Sequence, residues 1–189
     1  RYSADKRERT KSQLYADAAI VMLDRIADLY PELHVSEFPR NNYYGFPNNG
    51  FKWHTQISAG RIVGSIWENE LVKDMMFAYD AVFPAISTLS SSARSVLSRQ
   101  TGLSDKGNAD SIRLNFERGV LREVPKAFAE GDLQGNPGMQ QSSLALAAVV
   151  INHAPETSRW LDTVFRNGNS DWASSARRDG GSVMRYMVN

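Results

Sequence analysis

The chain has 189 residues, and its 22 Lys and Arg side chains nearly balance 21 Asp and Glu, which gives a formal net charge of +1 at pH 7. This length suffices to bury one sizeable core, so we expect one domain or part of one. The balanced charge argues against a nucleic-acid partner, which would need a basic excess or a dense basic stripe. The absence of Cys excludes disulfides, thiolate catalysis and Cys-ligated metal.

The first predicted helix runs from Thr10 to Tyr30, where apolar residues recur every three or four positions, and the proline that follows ends it. Residues 31–60 then contain several Pro and Gly and a cluster of Asn, a composition typical of a long loop. A loop of this length rarely lacks a function, and its aromatic side chains would pack over the domain or line a sugar-binding surface. Tyr44 and His54 lie in this loop and are candidate substrate-binding residues, although a lone loop His is more often a surface or packing residue.

Further helices are predicted from apolar spacing and flanking turns at Ile62–Phe83, Ser92–Arg99, Asp110–Ala129, Met139–Asn152, Pro155–Phe165 and from residue 180 onwards. We expect Pro125 to kink the third of these helices. Apart from weak signals near Ser36 and Ile57, no strand-like alternation competes with them, and no apolar run approaches the roughly 20 residues that span a bilayer. The predicted fold class is all-α, with paired antiparallel helices in an irregular array or toroid more than in a simple bundle.

A turn rich in Gly and Pro, at residues 132–138, precedes a strongly apolar helix that starts at Met139. Asn136, Gln140 and Gln141 therefore cluster near a helix N-terminus, where backbone N–H groups and the helix dipole favour anionic ligands. The alternative, which the residue types alone favour, is that Asn136 only caps the helix.

The same turn carries a family resemblance. Residues 134–141, QGNPGMQQ, run into an apolar helix and are similar to the Gly-Asn-x-Gly-Met-x-Gln turn and helix of heparinase II/III-type polysaccharide lyases. Residues 18–31 resemble that family's early helix, and residues 60–80, with the sequences GRI, WE and AYD, resemble its next helix. These segments occur in the family's order, and the similarity touches about two thirds of the chain.

This resemblance implies an (α/α) toroid, of which residues 1–189 would form part, followed by a β-sandwich domain beyond the chain. It also implies cleavage of uronic-acid-containing polysaccharide by β-elimination, without a cofactor, in a periplasmic or secreted protein. Asn136 would neutralise the uronate carboxylate, and the family's catalytic Tyr would lie in a segment after Asn189. Because the chain lacks an initial Met and an evident end, we expect a fragment whose active site is incomplete.

One residue departs from the family's pattern, since relatives with this turn often have His where this chain has Gln140. Gln donates hydrogen bonds but does not exchange a proton near neutral pH, so Gln140, with Gln141, would hold substrate and would not act as base. Arg61 would clamp a carboxylate and Trp67 would stack on sugar, with Glu68 beside them in the substrate groove. On helical spacing alone, Trp67 is more often a core residue, and Arg61 with Glu68 more often a solvated pair.

Two other function classes explain the same helices. A non-catalytic helical glycan-binding or scaffold module would accommodate Gln140, and a glycoside hydrolase on a similar toroid is the other alternative. A hydrolase needs two carboxylic acids that face one cleft, for which Asp80, Glu68 and Asp132 are available without a telling arrangement. The three His residues are far apart in the sequence and no pair has the helical spacing of a metal site, so we expect no metal.

Overall fold

The computed structural model describes residues 2–33, 60–63, 65–99, 106–130, 132–133 and 138–167, and all regular secondary structure in these ranges is helical. The predicted all-α class is therefore confirmed for this part of the chain. None of the helices in it is long and apolar enough to cross a membrane. The α-helices are α1 (Tyr2–Leu29), α2 (Ser65–Val82), α3 (Ser91–Arg99), α4 (Ala109–Phe116), α5 (Glu123–Glu130), α6 (Met139–Ile151) and α7 (Glu156–Asp162).

Short turns of tighter or wider helix extend several of these elements. Proline occupies an early position of the 3-10 turns Tyr30–Glu32 and Phe83–Thr88, which follow α1 and α2. For α1, the sequence predicts that this proline ends the helix. The π turns Glu117–Leu121 and Thr163–Asn167 follow α4 and α7. Most of the predicted loop at 31–60, and the helix predicted from residue 180, lie outside the described residues.

The start of α2 is held by its own first turn. The helix begins at Ser65, later than the predicted Ile62, because residues 60–63 form bends. The Glu68 carboxylate accepts hydrogen bonds from the backbone N–H groups of Ile62 and Val63, at 3.0 and 2.9 Å. These bonds fix the direction from which the chain enters the helix.

The core is built from the apolar faces of every α-helix in the described ranges. α2 contacts both α1 and α6, and α6 also contacts α5 and α7. Ile112, Phe116, Val120 and Val124, which recur at every fourth position, are all buried. Phe116 stacks on Tyr79 of α2, with ring centroids 4.2 Å apart and planes inclined by 12°. Burial of each large apolar side chain contributes about 1.5–3 kcal/mol to stability.

The predicted helix Asp110–Ala129 is divided by the π turn at Glu117–Leu121, and a kink at Pro125 itself stays a prediction. Pro125 lies in the first turn of α5, where backbone N–H groups have no partner within the helix and proline is tolerated. The π turn brings Gly119 against α1, and a Cβ atom on Gly119 would lie 2.1 Å from the Ala27 carbonyl oxygen. Only glycine allows the two backbones to approach this closely.

Gly119→Ala is therefore expected to lower the free energy of unfolding by roughly 3 kcal/mol, because the new methyl group would force α1 and the π turn apart. Chemical denaturation would measure the loss. Gly138→Ala is the matched control, since a Cβ atom there meets nothing within 4 Å. The strain at its φ of 92° should cost only about 1 kcal/mol. A Gly119 variant as stable as the control would contradict the steric argument.

Lys106 lies just before α4 and is buried among acidic residues of α1. Its ammonium group donates to the carboxylates of Asp24 and Asp28, the latter at 2.7 Å. Asn115 donates to the same two carboxylates at 2.9 Å each, so this Lys106 cluster joins α1, α4 and the segment before α4. Burial raises the pKa of Asp24, against the opposing effect of its hydrogen bonds with Lys106 and Asn115.

Candidate active site

The start of α6 is one part of the predicted site that the structure describes. Gly138 is the N-cap residue of α6, with a φ of 92°, and its carbonyl oxygen accepts a hydrogen bond from the Ser142 N–H at 2.8 Å. The alternative that placed Asn136 at the N-cap is therefore wrong. Residues 134–137, which include Asn136, lie outside the described part of the chain, so carboxylate neutralisation by Asn136 stays a prediction.

Gln140 and Gln141 are the second and third residues of α6, which confirms that they lie at a helix N-terminus. Both are buried, each with 1% of its surface exposed. Within the described residues, Gln140 Oε1 and both polar side-chain atoms of Gln141 have no hydrogen-bond partner. An unpaired buried polar group costs about 1–3 kcal/mol. A ligand that pairs with these amides would explain why they are retained.

A buried hydrogen bond close to these amides in the chain fixes α6 to α2. Ser143 Oγ donates to Asn69 Oδ1 at 2.9 Å, and both side chains are fully buried. Asn69 is not among the residues that the sequence predicts for the site. Asn69 precedes the buried residues Val72 and Met76 by three and seven positions, a spacing that places all three on one face of α2. This spacing is the sequence feature from which Asn69 could have been identified.

A second polar group, the Arg61 cluster, is formed by Tyr30, Arg61, Glu68, Glu123, Glu130 and Asp132. Arg61 Nη1 donates to Glu123 Oε2 at 2.8 Å, and Nη2 donates to Glu130 Oε2 at 3.5 Å. Arg61 Nε lies 3.6 Å from Asp132 Oδ2, close enough for an ion pair but too long for a hydrogen bond. The guanidinium carbon also lies 5.3 Å from the centre of the Tyr30 ring, within the range of a cation–π contact.

Glu68 belongs to this cluster and is fully buried. Its carboxylate accepts a hydrogen bond from the Tyr30 hydroxyl at 3.1 Å, in addition to those from the two backbone N–H groups before α2. Burial, and then the Glu68 charge, hold the pKa of Tyr30 well above its usual value, so the phenol stays protonated and donates. The alternative of Arg61 and Glu68 as a solvated pair is wrong, because both are buried and bound to other partners.

Trp67 precedes Glu68 on α2 but has 49% of its surface exposed, so the alternative of a core residue is wrong. An indole with this exposure remains accessible for stacking on a sugar ring. Tyr44 and His54 lie outside the described residues, and their contact with substrate stays a prediction.

Glu68 and Asp80, two of the carboxylates that the sequence offers to a glycoside hydrolase, are too far apart to form a catalytic pair. Glu68 and Asp80 both lie on α2 and are separated by about 18 Å of helix, whereas such pairs stand within roughly 10 Å of each other. Asp132 is ion-paired with Arg61, and Glu68 is held by backbone N–H groups. This part of the chain also contains no group of three or more His, Asp or Glu side chains arranged to hold a metal ion.

No family model, no curated protein and no solved structure matches this chain. The resemblance to heparinase II/III-type lyases therefore remains a prediction from the sequence, as does the toroid arrangement of the helices. Two features are visible only in the structure. One is the buried amide pair at the start of α6, and the other is the Arg61 cluster, which includes Asp132 from the segment before α6.

Proposed function

We propose that the chain is part of the helical toroid domain of a polysaccharide lyase that cleaves uronic-acid-containing polysaccharide by β-elimination. The observation that supports this function is the buried pair Gln140 and Gln141, in which Gln140 Oε1 and both polar atoms of Gln141 lack partners in the described structure. The pair lies shortly after Asn136 in the sequence. An acidic sugar offers carboxylate and hydroxyl groups, which pair with amide donors and acceptors. The protein would act in the periplasm or outside the cell, where such polysaccharides occur.

The chemistry of β-elimination needs donors of this kind. Removal of the proton next to a uronate carboxylate generates enolate-like negative charge, which preorganised N–H donors stabilise. Asn136 would supply the side-chain donor, and the N-terminal end of α6 would add a favourable dipole. Gln140 and Gln141 would orient the sugar, because a Gln amide does not titrate near neutral pH and cannot act as the base.

The base would be a Tyr or His other than the buried tyrosines Tyr30 and Tyr79. Tyr30 and Tyr79 are both buried, and burial raises the pKa of each phenol above its usual value. A raised pKa makes the phenolate rarer at neutral pH, which makes these two residues poor candidates for proton abstraction. A Tyr beyond Asn189 is the residue that the family resemblance implies.

The full-length protein is expected to produce an unsaturated uronate, detected by its ultraviolet absorbance, from at least one of alginate, heparin, heparan sulfate, chondroitin and hyaluronan. The double bond arises only by elimination, so new reducing ends without this absorbance would identify a hydrolase instead. Binding to one of the polysaccharides without either product would identify a glycan-binding module. The Asn136→Ala variant, purified in the same way, controls for contaminating lyases.

A further inference from the structure

We propose that the outer side of α1 is a dimer interface, on which α1 of a second copy of this chain packs in the antiparallel direction. The two-fold axis of the pair would pass between Val21 and Met22. This inference concerns assembly, and it does not depend on the reaction that the protein catalyses.

The side of α1 that faces away from the core is exposed and apolar. Leu14, Met22 and Leu29 have 65%, 66% and 39% of their surface exposed. Ala18 is also exposed, and Val21 is half-buried. Together with three charged residues they recur three or four positions apart along α1 and the 3-10 turn that continues it, and so lie on one side of the helix. We call this side the α1 face: Lys11, Leu14, Ala18, Val21, Met22, Arg25, Leu29 and Glu32.

The α1 face lacks the charges that an outer helix surface normally has. Asp17 and Asp24 are buried, and the Asp28 side chain is only 1% exposed. Between Leu14 and Leu29, Arg25 is therefore the one exposed charged residue. A helix at the surface of a globular protein normally has charged and polar residues on its outer side. A contiguous apolar patch in that place is typical of a protein–protein interface.

The order of side chains along the α1 face fits a second copy that runs in the opposite direction. In a two-fold pair the same patch of both copies forms the contact, so every pairing occurs twice. An axis between Val21 and Met22 places Leu14 opposite Leu29 of the other copy. It also places the small Ala18 opposite Arg25, whose long apolar stem can lie over the methyl group. Apolar surface therefore meets apolar surface along the whole contact.

The two ends of the α1 face carry opposite charges. Lys11 and Glu32 are both exposed, and each lies about 16 Å from the axis along the helix. Antiparallel packing therefore brings Lys11 of each copy to Glu32 of the other, whereas parallel packing would place like charges together. The resulting contact is about 30 Å long. A contact of one helix pair is at the small end of specific interfaces, so we expect a dissociation constant on the order of micromolar.

Sedimentation velocity of the full-length protein over a range of concentrations would measure this dissociation constant. Met22→Asp is expected to raise it about tenfold or more, because two carboxylates would replace apolar side chains next to the axis and repel each other. Phe77→Asp is the matched control. Phe77 lies on α2, outside the α1 face, and has 58% of its surface exposed, so its replacement should leave the dissociation constant unchanged.

Reversal of the end charges tests the antiparallel direction. Lys11→Glu and Glu32→Lys should each raise the dissociation constant roughly tenfold, because both pairs of the dimer become repulsive. The double variant should restore the wild-type value, since opposite charges then meet again. This restoration is specific to an antiparallel second copy, because a different partner would not change its own charges.

Three results would overturn the inference. One is a wild-type protein that stays monomeric far above the expected dissociation constant, and another is a dimer that Met22→Asp does not weaken. The third is a double variant that dimerises no better than the single ones. A Met22→Asp variant that loses stability as a monomer would show that another part of the same molecule covers the α1 face. None of these results bears on whether the protein is a lyase, which the unsaturated product decides separately.

Discussion

Replacement of Asn136 by Ala is expected to lower kcat on the order of 10²-fold or more, while the free energy of unfolding changes by about 1 kcal/mol or less. The large kinetic effect follows from the proposed role, because a neutralising donor acts where negative charge develops in the transition state. The small effect on stability is expected because even a lost helix cap costs only about 1 kcal/mol. Steady-state kinetics and chemical denaturation of the full-length variant would measure the two effects separately.

Asn108→Ala is the matched control for this experiment. Asn108 is a true N-cap residue, since its side chain accepts a hydrogen bond from the Ser111 N–H at 2.9 Å at the start of α4. Its loss should cost about 1 kcal/mol of stability and leave kcat unchanged. An Asn136 variant that resembles this control, with lower stability and normal turnover, would mean that Asn136 has a structural role only.

Lys106→Met is expected to lower the free energy of unfolding by about 3–5 kcal/mol, a large share of the stability of an ordinary domain. The substitution introduces an apolar side chain of similar length. It removes the Lys106 charge from Asp24 and leaves Asp28 with only the partly exposed Arg25, 3.8 Å away. The side chains of Asp24 and Asp28 are only 0% and 1% exposed, so water cannot replace the lost partner. Denaturant titration would measure the change.

The deficit of the Lys106 variant should shrink on acidification from pH 7 to about pH 4. Asp24 already has a raised pKa, and loss of the Lys106 hydrogen bond and charge would raise it further. A carboxyl group whose pKa is higher in the folded than in the unfolded protein adds to the free energy of unfolding at low pH. This contribution is lost as the pH rises through the pKa of the folded state. Lys73→Met is the control, because Lys73 forms a partly exposed pair with Glu70 that contributes at most about 1 kcal/mol. Equal losses in the two variants would contradict the argument from burial.

The helices that the sequence predicts well are those whose evidence is local. The apolar spacing in α1, α2 and α6, together with flanking Pro and Gly, depends on residues a few positions apart. The structure confirms all three helices, although α1 begins at Tyr2, well before the predicted Thr10. The π turn after α4 was not predicted. Gly119 in this turn packs against the Ala27 carbonyl oxygen on α1, a contact between residues far apart in the sequence. A local sign was nevertheless present. Ile112, Phe116, Val120 and Val124 recur at every fourth position, and over that length an uninterrupted α-helix would rotate the last of them about 120° away from the first.

The same distinction applies to the candidate site. Gln140 and Gln141 follow a turn whose Gly and Pro are recognisable in the sequence, so their place at a helix N-terminus was predictable. The burial of Arg61 was not, because the partner at 2.8 Å, Glu123, lies more than sixty positions away in the chain. The composition of α2 also does not predict whether Trp67 or Glu68 faces the core. The structure buries the charged residue, since Glu68 finds hydrogen-bond donors there, and exposes much of the aromatic one.

The unpaired amides at the start of α6 have a consequence for how this protein would respond to selection. A Leu or Met at either position would fill a similar volume without burying polar atoms that lack partners, and would favour folding. A population selected only for heat resistance would therefore be expected to lose Gln140 and Gln141 early. The protein is therefore less stable with this Gln pair than it would be with two apolar residues. Active sites that bind a polar ligand commonly lower stability in this way.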